Sequence, residues 1–232
     1  MRTIGIIGGM SWESTVPYYR RVNELVRDRL GGLHSARIVL FSVDFSEIEA
    51  LQSAGEWDEA GRALADAARG LESAGADCVV LATNTMHKVA PALEEAVGIP
   101  LLHIADATGE AVRQAGIGMV GLLGTRFTME QDFYRERLGD RFGLTVLVPE
   151  PPERELVDRV IYTELCCGKL AEDSRAAFRD IIASLVERGA RGVIMGCTEI
   201  PLLISQADSP VALFDTGELH VRAAVDFALG AD

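Results

Sequence analysis

The chain is written twice. Gly75-Ala76-Asp77-Cys78-Val79-Val80-Leu81-Ala82-Thr83-Asn84-Thr85 aligns without gaps on Gly189-Ala190-Arg191-Gly192-Val193-Ile194-Met195-Gly196-Cys197-Thr198-Glu199. The offset of 114 positions (189 minus 75) is close to half of the 232 residues. A second echo sets Gly5-Ile6-Ile7-Gly8 against Gly118-Met119-Val120-Gly121. Self-similarity at a fixed spacing reports duplicated architecture. It predicts two similar halves related by a pseudo-twofold axis, on which Thr83 and Cys197 are equivalent.

Short β-branched apolar runs alternate with longer helical patterns, the signature of an α/β protein with parallel sheets. Strands are predicted at Thr3–Ile7, Arg37–Ser42, Cys78–Ala82, Pro100–Ile104, Gly118–Leu122, Thr145–Val148, Gly192–Met195 and Val211–Phe214. Between them, Ala60, Leu64, Ala67, Ala68 and Leu71 form an apolar stripe at helical spacing. Pro149, Pro151 and Pro152 read as a turn after a strand. In each half, residue 83 or 197 directly follows a buried strand and precedes polar residues able to cap a helix. Open α/β sheets bind ligands at such carboxyl ends, where helix N-termini present free N–H groups.

The formal charge of −13 argues against a nucleic-acid partner or an anionic membrane, since phosphate binding needs clustered positive charge. It leaves small anionic substrates open, because they respond to a local field. No apolar stretch approaches the ~18 residues of a membrane span. The opening run is too short for a signal segment and lacks a small-residue cleavage site. Cys78, Cys166, Cys167 and Cys197 lack zinc-ligand spacing and suit no disulfide framework. A reducing cytoplasm is the expected location.

Cys197 carries the chemistry. A thiol at a strand end, followed by a helix N-terminus, is in a setting that lowers a cysteine pKa from about 8.5 toward neutrality. Thr198 is expected to cap that helix, with Glu199 in its first turn. Cys78 reads as a buried strand residue, and Cys166 and Cys167 as parts of a helical segment. Among the histidines, His87 and His103 read as structural, and His34 and His220 as peripheral.

Val193-Ile194-Met195-Gly196-Cys197-Thr198-Glu199-Ile200-Pro201 resembles the second cysteine signature of the aspartate/glutamate/hydantoin racemase family. Leu81-Ala82-Thr83-Asn84-Thr85-Met86-His87 resembles the first signature, with Thr83 where a cysteine is usual. Ile6-Ile7-Gly8-Gly9-Met10-Ser11-Trp12-Glu13-Ser14 is similar to the opening of the aspartate racemase branch. So are Ser42-Val43-Asp44-Phe45 with Gln52, and Ile161-Tyr162-Thr163-Glu164-Leu165 with Lys169. The resemblance spans the chain. It is nearest to bacterial L-aspartate/glutamate racemase-like and broad-specificity amino-acid racemase-like members that carry threonine at the first position.

The resemblance implies two pseudo-symmetric Rossmann-like α/β domains with the active site in the cleft between them. Residues 1–98 with 210–232 would form the first domain and supply Thr83; residues 99–209 would form the second and supply Cys197. The C-terminal strand and helix would pack on the first domain. It further implies α-proton exchange on aspartate, glutamate or a related amino acid, one base on each face, with neither pyridoxal phosphate nor metal. Asn84, Thr85 and Thr198 would hold the α-carboxylate, and Met10, Gln52, Thr125 and Lys169 would line the rest of the site. A homodimer is the implied assembly. Two other readings stay open: a single-thiol decarboxylase or isomerase of the same superfamily, and a non-catalytic amino-acid-binding protein.

Overall fold

The computed structural model describes residues 1–230. Ala231 and Asp232, assigned above to the first domain, lie outside the described residues. In chain order the elements are β1 (Ile4–Gly8), α1 (Trp12–Leu30), β2 (Ile38–Ser42), α2 (Phe45–Ala54), α3 (Trp57–Ser73), β3 (Cys78–Leu81), α4 (Ala90–Ala96), β4 (Leu101–Leu102), α5 (Ile104–Gln114) and β5 (Met119–Gly124). There follow α6 (Arg126–Glu130), α7 (Asp132–Phe142), β6 (Thr145–Leu147), α8 (Pro151–Thr163), α9 (Glu172–Glu187), β7 (Gly192–Gly196), α10 (Ile200–Leu203), β8 (Ala212–Asp215) and α11 (Thr216–Leu229). Short 3-10 turns lie at Thr85–Val89, Leu165–Cys167 and Gln206–Asp208. All eight expected strands are present, within a few residues of their expected bounds.

The chain divides into two compact units, Met1–Ile104 with the segment from His220, and Ala105–Leu219. Each holds one four-stranded parallel sheet, ordered β2-β1-β3-β4 in the first and β6-β5-β7-β8 in the second. Parallel sheets need both faces covered. In the first unit, the period-two alternation of β1 sends Ile4 and Ile6 to one face and Ile7 to the other. Tyr18, Val22 and Val26 of α1, with Val221, Ala224 and Val225 of α11, cover Ile4, Ile6 and Val80. The predicted α3 stripe covers Ile7, Val79 and Leu81. Leu64 and Leu71 there are essentially inaccessible, so each contributes roughly 1.5–3 kcal/mol of burial. In the second unit, Val157, Val160 and Ile161 of α8 and Phe178, Ile182 and Leu185 of α9 pack on Leu123, Val193 and Met195.

Four expectations are corrected. Strand β8 pairs with β7 in the second sheet, so only the chain from His220 returns to the first unit. Conversely β4, expected in the second domain, is an edge strand of the first sheet. The second echo is also out of register by three. Gly5 pairs with Val79, and the residue pairing with the equivalent Val193 is Gly121. The true repeat is therefore Gly5-Ile6-Ile7-Gly8 against Gly121-Leu122-Leu123-Gly124. Both leading glycines do the same work. A Cβ on Gly5 would lie 3.2 Å from the Leu71 Cβ of α3, and one on Gly121 would lie 2.9 Å from a Leu185 methyl of α9. Each lets a covering helix seat a leucine directly on the sheet. Finally, Pro151 and Pro152 open α8 rather than form a turn, since a proline at the first helical positions forfeits only an N–H that has no helical partner.

No helix among the described residues is long and apolar enough to cross a membrane.

Candidate active site

Cys197 lies one residue beyond β7 and is 7% exposed. Its Sγ donates to Glu199 Oε2 at 2.9 Å, and Thr198 Oγ1 donates to the same oxygen at 3.0 Å. The Glu199 backbone N–H hydrogen-bonds the sulfur in return. Glu199 itself is 2% exposed. This arrangement corrects the expected acidity. Burial pushes the Cys197 thiol well above its ordinary value, and the Glu199 carboxylate and the Cys166 thiol add to the effect. The helix that was to supply a positive end, α10, has only four residues, and too few aligned peptides sum to a useful dipole. Thr198 is not its cap: Glu199 takes the N-cap position, and Thr198 turns its hydroxyl to the carboxylate.

Thr83 stands at the matching place beyond β3, 7% exposed. Its N–H donates to the Leu81 carbonyl at 2.8 Å. Its own carbonyl lies 2.7 Å from His87 Nδ1, while His87 Nε2 accepts the Ile104 N–H at 3.2 Å. An accepting Nε2 places the His87 proton on Nδ1, which donates to the Thr83 carbonyl. His87 thus clamps the backbone that presents Thr83. Nothing among the described residues hydrogen-bonds the Thr83 hydroxyl. Asn84 and Thr85 follow it, both buried, with the His87 N–H donating to the Asn84 carbonyl at 3.1 Å.

The first unit also gathers Met10 and Gln52 with this strand end. Both are 4% exposed. Met10 packs in one cluster with Leu81 and Met86. Gln52 Nε2 contacts Met86 Sδ at 2.8 Å, while Gln52 Oε1 is buried with no partner among the described residues. Gly9 shapes the turn between β1 and α1. Its φ of +94° and the Val43 carbonyl 2.3 Å from where a Cβ would lie admit only glycine, and its N–H donates to Thr15 Oγ1 at 2.8 Å.

In the second unit, Thr125 follows β5 and caps α6, accepting the Thr128 N–H at 3.4 Å. Lys169 is exposed in the loop between the Leu165–Cys167 turn and α9, and pairs with no carboxylate among the described residues. The residue that sequence reasoning passed over is Glu199. The signal was present in Cys197-Thr198-Glu199, where a carboxylate two positions along a tight turn can reach back to the thiol. The cysteines set aside behave as expected: Cys78 is fully buried, and burial pushes its thiol up to about 12.

The chain is similar to racemases and racemase homologues. A proposed Asp/Glu racemase from Yersinia pestis is 55% identical, with 99% of this chain and 100% of that one aligned at a TM-score of 0.93. An aspartate racemase homologue from Pyrococcus horikoshii is 37% identical over 99% of this chain and 100% of that one, at a TM-score of 0.85. Glutamate racemase of Pseudomonas aeruginosa is 32% identical over 154 residues, 64% of this chain and 56% of that protein. The match thus spans little more than half of that enzyme's length. The Asp/Glu/hydantoin racemase family model matches residues 7–224, which takes in both strand ends, and the chain belongs to that family.

Proposed function

We propose that the protein is a cofactor-independent amino-acid racemase acting on aspartate, glutamate or a closely related amino acid. The observation that carries this reading is the equivalence of Thr83 and Cys197, each just beyond the third strand of its unit in the same register. Cys197 serves one face of the α-carbon as thiolate base or thiol acid. Thr83 serves the opposite face, delivering a proton from its hydroxyl, directly or through water. Asn84, Thr85 and, through its backbone N–H, Thr198 hold the α-carboxylate, into which the carbanion charge spreads and where fixed donors stabilise it best. Met10, Gln52 and Thr125 shape the rest of the site. Lys169, exposed and with no partner carboxylate among the described residues, takes the distal carboxylate of the substrate. The partner is a small molecule, and the protein works in the cytoplasm as a homodimer.

The test is α-deuteration in D₂O, followed by proton NMR for each enantiomer of aspartate, glutamate and a panel of other amino acids. Loss of the Cα–H signal with the intact protein and not with Cys197→Ser is expected. No exchange on any amino acid by protein whose Cys197 thiol is demonstrably reduced would overturn the reading.

A further inference from the structure

We propose that Glu199 is the proton acceptor for Cys197, the two side chains sharing one proton between Sγ and Oε2 as a single acid–base pair. The inference rests on the racemase reading and supplies what that reading lacks, a route to the thiolate. A buried thiol reaches the reactive form only if something nearby takes its proton. Glu199 Oε2 is 2.9 Å from Sγ, already on the receiving end of the S–H bond. Two negative charges at that separation in a dry setting do not coexist, so one proton stays with the pair. Either arrangement, thiol with carboxylate or thiolate with carboxylic acid, has the same net charge. Moving the proton from sulfur to oxygen therefore creates no new charge in the interior. Two donors brace the exchange: Thr198 Oγ1 holds Oε2 at 3.0 Å, and the Glu199 N–H faces the sulfur, where it stabilises a thiolate.

The Sγ–H bond breaks as Oε2–H forms. The thiolate then takes the Cα proton, forming Sγ–H again and leaving the electron pair on Cα, delocalised into the substrate carboxylate. Thr83 gives a proton to the opposite face and recovers one from water, and the Cys197–Glu199 pair, now holding two protons, returns one to water. The duplication shows that this device belongs to one half only, because the position equivalent to Glu199 is Thr85. The two strand ends thus differ twice, in the base and in the group that charges it. Among the described residues of the second unit, the Cys166 thiol, from the Leu165–Cys167 turn, also faces Cys197.

Glu199→Gln keeps the shape and removes the charge. Glu199→Thr, which copies what the first unit already folds around at Thr85, is the second variant should the first fail to fold. Alkylation of Cys197 by iodoacetamide, read from the mass of its peptide across a pH series, is expected to show a midpoint about one pH unit or more lower in either variant, since a neighbouring negative charge is gone. Cα exchange by the wild type is expected to be flat from about pH 6.5 to 8.5, because the proton stays within the pair. In the variants it should rise about tenfold per pH unit up to the thiol's own midpoint, lying at least about tenfold below wild type at the acid end. An unmoved alkylation midpoint in both variants overturns the pairing whatever the exchange assay shows. Absence of Cα exchange from the wild type overturns the racemase reading instead, and the alkylation shift still decides whether thiol and carboxylate are coupled.

Discussion

Replacing His220 with glutamine should remove most of one acid-sensitive step in the protein's stability. His220 is fully buried in the first unit. Its Nε2 lies 2.5 Å from the Leu102 carbonyl and its Nδ1 lies 3.2 Å from the Tyr18 hydroxyl. The ring also stands edge-on to His87, at 5.8 Å between centroids, so a charge here would sit among apolar and neutral groups. Burial pushes the imidazole from its ordinary 6.5 down to about 4, opposed only by the bond to Leu102. The unfolded chain takes up a proton below about pH 6.5 and the folded one does not until about pH 4. The unfolded state therefore binds more protons across that window, and stability, complete above about pH 6.5, is lost as pH falls toward 4. A fall of about 2.5 pH units at 1.36 kcal/mol each amounts to about 3 kcal/mol. Urea unfolding at half-unit steps from pH 7 to 4 measures it. The wild type should lose about 3 kcal/mol more than His220→Gln, whose amide can still donate to Leu102 and cannot titrate. Parallel acid limbs for the two proteins would refute the argument that the imidazole is kept neutral by burial.

The proposed roles of the two strand ends make unequal demands on substitution. Thr83→Cys should raise racemisation by roughly 10²-fold, alike from both enantiomers since they are equal in free energy, and Cys197→Ser should lower it by at least as much, measured by polarimetry from each enantiomer. Exchange of the Cα proton without inversion should be faster from the enantiomer whose proton faces Cys197, and equal exchange without inversion from both enantiomers would contradict the division of labour. Gln52→Leu removes a buried oxygen with no partner among the described residues, so unfolding free energy should hold or rise by about 1 kcal/mol while the KM for substrate increases. A variant that is destabilised with an unchanged KM would show that Gln52 serves the fold alone.

Much of the fold could be read from the chain, and the residues explain where reading stopped. The strands were visible because buried parallel strands are short β-branched runs bounded by turn residues. The β3 and β7 repeat was visible because it extends through eleven positions without a gap. The glycine echo slipped because Gly118-Met119-Val120-Gly121 and Gly121-Leu122-Leu123-Gly124 have the same pattern, and only pairing with Val193 separates them. The partner of β8 was hidden for a related reason: parallel pairing is set by distant residues rather than local ones. At the site, the positions of Thr83 and Cys197 were legible, yet the acidity of Cys197 was not. Its sign depends on whether a strand-end thiol meets peptide dipoles or a carboxylate, and here a side chain two residues along decides it.

The division of the chain also orders its birth. One face of the first sheet, at Ile4, Ile6 and Val80, is covered in part by Val221, Ala224, Val225 and Ala228 of α11, whereas the second unit is a single stretch from Ala105 to Leu219. A ribosome delivers the second unit whole before it delivers the helix that closes the first. The unit begun first is therefore finished last, and its bare apolar face is the surface a chaperone would meet on the nascent chain.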